Sequence, residues 1–587
     1  MGLSGWSNLI ALGAREFDGD LPHEVGGGAN SVFAWTIAKP TEQFSNPFVH
    51  TRRITLVPHG QQVGGLEVVA GCKARVATYY DRASDCRCYL WGLTAHPRRS
   101  GRRLFEWCIE LVRTVRWGDF TELLGPFVLL IDDPARKQVF WISDPLGIQP
   151  WFIGSHNEQF VGGSSVWPIR QAGLCGDAIN FDSLSSWLHY GYDCTGGSLF
   201  AGYRRLKPRT ATIIRDRELC EQEYAALQSD DRRPPIEEVA DQVYERVSSA
   251  FDALIAQRGR VAIGLTGGFD SRLLAALCAR HRDLETTAAV VCTRHAEAKV
   301  AQTVADALGL RLHQIVADGS AWNLYRQPYH FLADGFPITK QVSDVVARRW
   351  PGVPLLNGYL GDTLIRGTGN LIDWQAMDAL PDDKAAQRQF QLRMLSGNRL
   401  DLLDDHTQAN IAARAHEAMR SLVNEGRAIG KPALYVALAG RQRFYTSNNF
   451  LQHLDISPAI IPFATWELLN YRFQHHYDCF SWETYRAIFR KYAPALAEIP
   501  HDSWSGIDGH LPRRASHGGR RWGASGLAAI ANGELPSILV QQKMIPRLAG
   551  ALVGFNDAEP AARFVQRLQL LDRRASLAGM QIDWHQI

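Results

Sequence analysis

Residues 261–272 read Val261-Ala262-Ile263-Gly264-Leu265-Thr266-Gly267-Gly268-Phe269-Asp270-Ser271-Arg272, and this stretch decides how the rest of the chain is read. Val261, Ala262, Ile263 and Leu265 form a short apolar run that predicts a buried strand. Gly267 and Gly268 then allow a sharp turn and let the backbone approach an anion with no Cβ in the way. Leu273, Leu274, Ala276, Leu277 and Ala279 supply the apolar face of a helix that follows at once. The positive end of that helix, with its free N–H groups, points to where a phosphate can sit. No Gly-Lys-Ser/Thr follows the glycines, so the Walker type of phosphate loop is excluded.

Outward from this loop, strands and helices alternate. The strand at 261–265 leads to a helix near 272–280, and a strand at 288–292 leads to a helix near 297–308; 312–316 and 353–356 read as strands, and a helix ends across 344–350. Short apolar strands joined by helical crossovers predict a parallel, doubly wound sheet with its ligand at the carboxyl ends of the strands. Beyond residue 371 the pattern turns mainly helical, including 411–423 and 431–447. Upstream, short strands and turns prevail, with strands at 127–133 and 138–142 joined by an Asp-Pro turn. Polar residues and paired prolines at 228–235 place a boundary between an N-terminal domain, 1–227, and a C-terminal domain, 236–587. The expected class is α/β plus α+β.

Composition bounds the partners. The chain has 587 residues, 46% hydrophobic and 21% charged, with a net charge of +3, so nothing in its charge calls for nucleic acid or a membrane surface. No targeting segment opens the sequence and no apolar run approaches the ~18 residues of a membrane span. A cytoplasmic protein with neither nucleic acid nor membrane as partner is expected. The ten cysteines are scattered and the closest pair, Cys86 and Cys88, lacks a second pair at a zinc-ligand spacing. The seventeen tryptophans carry no accompanying basic stripe and are assigned to packing. His475 and His476 are adjacent, so on a helix they point in different directions and make a poor metal pair.

Thr266 before the glycines, with Asp270 and Ser271 after them, resembles the S-G-G-x-D-S loop of ATP pyrophosphatases, with Thr in place of the first Ser. Further islands make the second half similar to the synthetase domain of the asparagine synthetase family: 297–301 through Leu308, Gly309 and His313; Asn357-Gly358-Tyr359-Leu360-Gly361-Asp362; Arg441 to Pro462-Phe463; and Tyr485-Arg486 through Pro494 and Pro500. The first half resembles that family's glutaminase domain through Leu124-Gly125-Pro126-Phe127, Asp132 and Ser143-Asp144-Pro145-Leu146-Gly147-Ile148-Gln149-Pro150. The resemblance implies an Ntn-type αββα domain, then a doubly wound adenine-nucleotide α/β domain with a helical extension, using ATP and Mg2+ to form an acyl adenylate.

Two departures refine that expectation. The family's glutaminases carry a cysteine directly after the initiator Met, whereas this chain has Gly2, which offers no side chain to attack an amide. An inactive glutaminase domain is implied, with the amine supplied by the substrate. The family's lysine after the Pro494 region is also missing between Pro500 and Trp522; Arg513, Arg514, Arg520 and Arg521 offer a different cation, or only a solvated loop. Two branches of the family pair a silent glutaminase domain with a working adenylation site: β-lactam synthetases and the cyclases that close the macrolactam ring of lasso peptides. Length, the T-G-G-F-D-S-R loop and the 441–463 segment are more similar to the lasso peptide cyclases. The partners this implies are a precursor core peptide and the leader peptidase of the same pathway. A β-lactam synthetase acting on a small β-amino acid and a non-catalytic nucleotide- or peptide-binding scaffold remain as alternatives.

By the same resemblance Asp270 and Asp362 are the carboxylates for Mg2+, facing each other across the nucleotide. Thr266, Gly267, Gly268, Phe269 and Ser271 cradle pyrophosphate through backbone and hydroxyl donors, Gly358 belongs to the matching loop, and Leu265 and Val291 border adenine. Tyr359 is the candidate assistant in activating the amine, at the position where β-lactam synthetases carry a tyrosine of a Tyr-Glu dyad. A tyrosine beside glycines is also a common packing residue.

Overall fold

A computed structural model describes residues 31–35, 52–55, 66–70, 76–156, 159–163, 166, 169, 175–176, 178–215, 218–256, 258–291, 295–315, 342–366, 378–379, 403–447 and 457–501. Gly2 and the four arginines at 513–521 lie outside them.

The N-terminal half is built from two six-stranded sheets. In the first, β1 (Ser31–Trp35), β2 (Arg52–Thr55), β3 (Leu66–Ala70), β8 (Phe152–His156), β9 (Gln159–Gly163) and β10 (Tyr203–Arg205) run in the order β10-β8-β9-β1-β3-β2. In the second, β4 (Val76–Asp81), β5 (Cys86–Gly92), β6 (Phe127–Asp133), β7 (Gln138–Ser143), β11 (Thr210–Arg215) and β12 (Glu218–Glu223) run in the order β12-β11-β7-β6-β5-β4. The described pairings within both are antiparallel. Central strand β6 shows why the layers form, because all seven of its residues are buried and its side chains alternate between two cores. Phe127, Leu129 and Ile131 face helix α1 (Gly101–Thr114), whereas Val128 and Leu130 pack with Trp91, Trp141, Trp151 and Ile153 between the sheets. Helix, sheet and sheet thus stack in three layers among the described residues. The buried tryptophans here fill the gap between the sheets, with the Trp91 and Trp151 rings 4.6 Å apart.

Helix α2 (Phe181–Tyr190) leaves these layers and packs on the long helix α7 (Asp405–Ile429) of the second half. The polar stretch 228–235 lies between β12 and helix α3 (Ile236–Ile255). It is pinned rather than free: Arg232 N–H donates to the Gln474 carbonyl and His476 N–H donates to that of Arg232.

The second half carries a five-stranded, wholly parallel sheet: β13 (Arg260–Gly264), β14 (Glu285–Val291), β15 (Leu312–Ile315), β16 (Leu355–Leu356) and β17 (Ala459–Ile460), in the order β15-β14-β13-β16-β17. Helices cover both faces. Val261, Ile263 and Leu265 share a core with α3, α4 (Phe269–Arg280) and α5 (His295–Ala307), while Ala262, Ala289 and Val291 pack against Val346 and Ala347 of α6 (Val342–Arg349). The chain moves outward from β13 to β14 and β15, then returns to the other side of β13 as β16. That reversal opens a crevice at the carboxyl ends of β13 and β16. The helix expected near residue 272 begins three residues earlier, so Asp270 and Ser271 stand in its first turn rather than in the loop.

The halves are joined by buried cations. The described helix from α8 (Pro432–Tyr435) continues in a widened, π-helical form over Val436–Thr446, and its Arg443 reaches into the N-terminal layers. The Arg443 guanidinium donates to the Gly147 carbonyl at 3.2 Å and to the Leu206 carbonyl, while Arg205 donates to the Arg443 carbonyl at 3.0 Å. Burial, with Arg205 nearby, pulls the Arg443 guanidinium down to about 9. No acid answers it directly in these hydrogen bonds; the carbonyls do. Arg443→Ala is expected to lower stability by about 1–3 kcal/mol for each carbonyl left unpaired, measured as a reduced midpoint in denaturant unfolding.

Candidate nucleotide site at the switch point

Both glycine loops singled out in the sequence open at the crevice between β13 and β16. The first, Leu265–Gly268 in numbering 265–268, runs directly into α4, whose N-cap is Gly268 in extended backbone with no side chain capping the helix. Its first-turn N–H groups, from Phe269 to Ser271, therefore have no partner within the helix and can meet an anion. Thr266 and Ser271 brace the turn, with their hydroxyls 3.0 Å apart; Ser271 Oγ accepts from Thr266 N–H at 3.1 Å and Thr266 Oγ1 accepts from Gly268 N–H at 3.1 Å. Their hydroxyls thus shape the loop before any ligand arrives. Leu265 is fully buried and Val291 nearly so, and their side chains enter cores on opposite faces of the sheet.

The second loop, 357–361, follows β16. Asn357 Oδ1 accepts from Tyr359 N–H at 2.9 Å, and Gly361 N–H donates to the Gly358 carbonyl at 3.1 Å. Leu360, buried, takes φ of 76°, a left-handed conformation that a bulky residue holds at a cost of about 1–3 kcal/mol. This turn delivers Asp362 to the start of a π-helical segment, Asp362–Arg366.

The loops meet at Asp270. A Cβ added to Gly361 would lie 2.6 Å from Asp270 Oδ1 and 2.8 Å from the Tyr485 hydroxyl, and one added to Gly358 would lie 2.9 Å from Asp270 Cβ. Tyr485, fully buried on helix α10 (Trp482–Tyr492), which follows α9 (Trp466–Gln474), donates its hydroxyl to Asp270 Oδ1 at 2.5 Å. Burial and the charge of Asp362 push the Asp270 carboxyl up to about 7, against the opposing pull of Arg366 and the Tyr485 hydrogen bond. Two carboxylates repelling each other in a niche without Cβ atoms form a donor set that suits a divalent cation shared with phosphate. Asp270 and Asp362 fit Mg2+, with the chemistry of hard oxygen ligands.

Tyr359 lies in the second loop, next to Gly358. Its buried hydroxyl donates to the Gln442 carbonyl at 2.5 Å, and burial raises the phenol well above its ordinary value. This contact anchors the second loop to the π-helical segment at Val436–Thr446. Gln442 continues inward: its Nε2 donates to Thr363 Oγ1 at 2.7 Å, which in turn reaches Asp362 Oδ1 at 3.1 Å.

Three contributors were not assigned by sequence reasoning. Arg272, fully buried, donates to the carbonyls of Gly267, Ile499 and Pro500 at 3.3, 2.7 and 3.0 Å, so it ties the phosphate-type loop to the segment after α10. It closes the quoted T-G-G-F-D-S-R run, which was its only signal. Tyr485 lay within the matching islands without a role. Arg366, four residues beyond Asp362, had none. His475 Nδ1 is 2.7 Å from the Tyr471 carbonyl and His476 Nδ1 accepts from Asp478 N–H.

Residues 242–425 match the family model for asparagine synthase. That match supports the resemblance to the asparagine synthetase family across the first glycine loop and the second, and it suggests ATP-dependent amide-bond formation. It spans less than half of the chain. Comparison with curated proteins finds no match. Among solved structures, one similar to this chain is a glutamine phosphoribosylpyrophosphate (PRPP) amidotransferase from B. subtilis complexed with ADP and GMP, at 11% identity over 58% of this chain and 71% of that one, with a TM-score of 0.19. Another is a structure of the allosteric regulatory enzyme of purine biosynthesis, at 11% identity over 58% and 70%, with a TM-score of 0.20. Likeness at these scores carries no argument. No helix among the described residues is long and apolar enough to cross a membrane.

Gly361→Ala is expected to weaken Mg2+ binding by about tenfold or more, because its Cβ would displace Asp270, with little change in the circular dichroism spectrum. The sign of the pH effect follows from the raised Asp270 carboxyl, which is neutral below about 7 and cannot then serve a cation as a carboxylate. Mg2+ affinity should fall as pH drops through about 7 and level off above it, read by calorimetric titration.

Proposed function

We propose that this chain is an AMP-forming amide ligase that activates a carboxylate with ATP and passes the acyl group to an amine of the same molecule. The observation that carries the reading is the convergence of an uncapped helix N-terminus, a paired-carboxylate niche and two glycine loops on one switch-point crevice. Thr266, Gly267, Gly268, Phe269 and Ser271 bind and orient pyrophosphate through backbone N–H groups, with Thr266 and Ser271 holding the loop in shape. Asp270 and Asp362 would hold Mg2+, which would supply positive charge beside the departing pyrophosphate. In the first step a substrate carboxylate oxygen attacks the α-phosphorus, the bond to the pyrophosphate oxygen breaks, and an acyl adenylate and pyrophosphate result. In the second, the amine attacks the acyl carbon, loses a proton, and AMP leaves. Tyr359, tethered to the Gln442 carbonyl, keeps the second loop in register and is the candidate assistant in activating the amine.

The finer reading is a lasso peptide macrolactam synthetase. Its substrate is a precursor core peptide whose Asp or Glu side chain is adenylated and whose own N-terminal amine closes the ring, in the cytoplasm and beside the leader peptidase of the same pathway. Gly2 in place of a nucleophilic cysteine, the T-G-G-F-D-S-R loop and the 441–463 segment support it. The N-terminal Ntn-type layers then serve as a support for the ATP site rather than as a source of ammonia.

The test is ATP–pyrophosphate exchange with and without a candidate core peptide, with nucleotide products resolved by chromatography. Peptide-dependent exchange, AMP as product and a loss of about 100-fold or more in Asp270→Ala are expected. Release of ADP, or unchanged exchange in Asp270→Ala, would overturn the reading.

A further inference from the structure

Arg366 is the cation that the site leaves unspent. It ends the segment opened by Asp362, close to one turn of the widened helix further on, so the two side chains leave the backbone on about the same side. Its guanidinium lies over the Trp482 ring, 4.2 Å from the centroid. That ring is itself fixed: it meets Phe269 edge-on at 5.2 Å and His501 at 4.5 Å, and it opens a helix held by the Ser481–Thr484 capping box. One turn along the same helix, Tyr485 bonds Asp270. Arg366 therefore stands on a platform shared with the carboxylate pair.

Among the described residues its hydrogen-bonding capacity is unused. Asp270 and Asp362 are close enough for the charge of Arg366 to bear on Asp270, yet neither carboxylate comes within ion-pair distance of the guanidinium, and Arg366 makes no hydrogen bond among the described residues. A structural arginine beside two carboxylates would be expected to collapse onto one of them, since a bidentate pair is its strongest available contact. Here stacking on Trp482 holds the fork away from the acids and leaves its five donors for something else. Once a divalent cation has neutralised the aspartate pair, polyphosphate brings further negative charge into the crevice that the cation alone does not balance. A planar fork beside that position suits two phosphate oxygens at once.

We propose that Arg366 is the guanidinium that binds the pyrophosphate portion of the nucleotide, gripping its oxygens in the ground state and as the charge on the leaving group grows. This rests on the ATP-dependent reading above, and it adds the one side-chain cation that the glycine loops and the carboxylates do not provide. Trp482 acts as its positioning residue, because removing the ring frees the fork to pair with Asp270 or Asp362.

Isothermal titration of the full-length protein with inorganic pyrophosphate, ATP and AMP, each with Mg2+, tests this. Arg366→Gln is expected to weaken pyrophosphate and ATP by about 10- to 100-fold while AMP binding changes less than about twofold, the range lost when a charged hydrogen-bond donor is removed. Arg366→Lys should recover part of the loss, and Trp482→Leu should reproduce part of it. Retention of pyrophosphate and ATP affinity within about twofold in Arg366→Gln would overturn the role of Arg366 while leaving the ligase reading intact. An equal loss for all three ligands would overturn it too, as the mark of a merely structural residue. If the wild-type protein binds neither ATP nor pyrophosphate, both readings fall.

Discussion

The repulsion between Asp270 and Asp362 is the constraint around which the second half of the molecule is organised. Two carboxylates do not remain together in a partly dry niche unless the surroundings hold them there. The holding comes from three separate parts of the chain. Helix α4 carries Asp270 in its first turn, the loop after β16 turns through Leu360 to present Asp362, and helix α10 supplies the Tyr485 hydroxyl. Gly358 and Gly361 admit this crowding because a Cβ at either position would occupy the space of Asp270. A cation bound between the two carboxylates would relieve their repulsion.

The N-terminal layers are coupled to that pair through one turn of widened helix. Gln442 and Arg443 are neighbours in sequence and point in different directions, one toward Tyr359 and Thr363, the other toward the carbonyls of Gly147 and Leu206. A π-helical turn changes the angle between consecutive side chains, and such turns are common at functional sites. The core also runs without a break between the halves, with Leu124, Leu146, Ile148, Tyr190 and Tyr192 joining the cluster that surrounds β13. The loop carrying Asp362 is thereby tied, through Gln442 and its neighbour Arg443, to the N-terminal layers.

Legibility in the sequence followed the range of the forces involved. The β13–α4 unit was readable because a five-residue apolar strand, two glycines and a helical apolar face are local patterns. The strand at 127–133 was readable for the same reason. The start of α4 was misjudged by three residues, because Phe269 and Asp270 look like loop residues until the helix is seen to begin directly after Gly268. Tyr359 shows the opposite limit. Its place in a glycine loop was legible, but the partner of its hydroxyl is a backbone carbonyl 83 residues away, and no spacing rule reports such a contact. Arg272 and Tyr485 were hidden in the same way, since their partners lie 227 and 215 residues distant.

The amino-acid sequence by itself determined the phosphate-type loop, the parallel βαβ series and the two aspartates, because turn chemistry and hydrophobic period act over a few residues and leave a local signature. Tertiary structure alone decided that β16 returns beside β13 and so brings the loops together, that Tyr485 holds Asp270 while Gln442 reaches the residue next to Asp362, and that Arg366 rests on Trp482 instead of on an acid. Those outcomes depend on which distant surfaces exclude water and which dipoles face one another. Neither quantity exists until the chain has closed on itself.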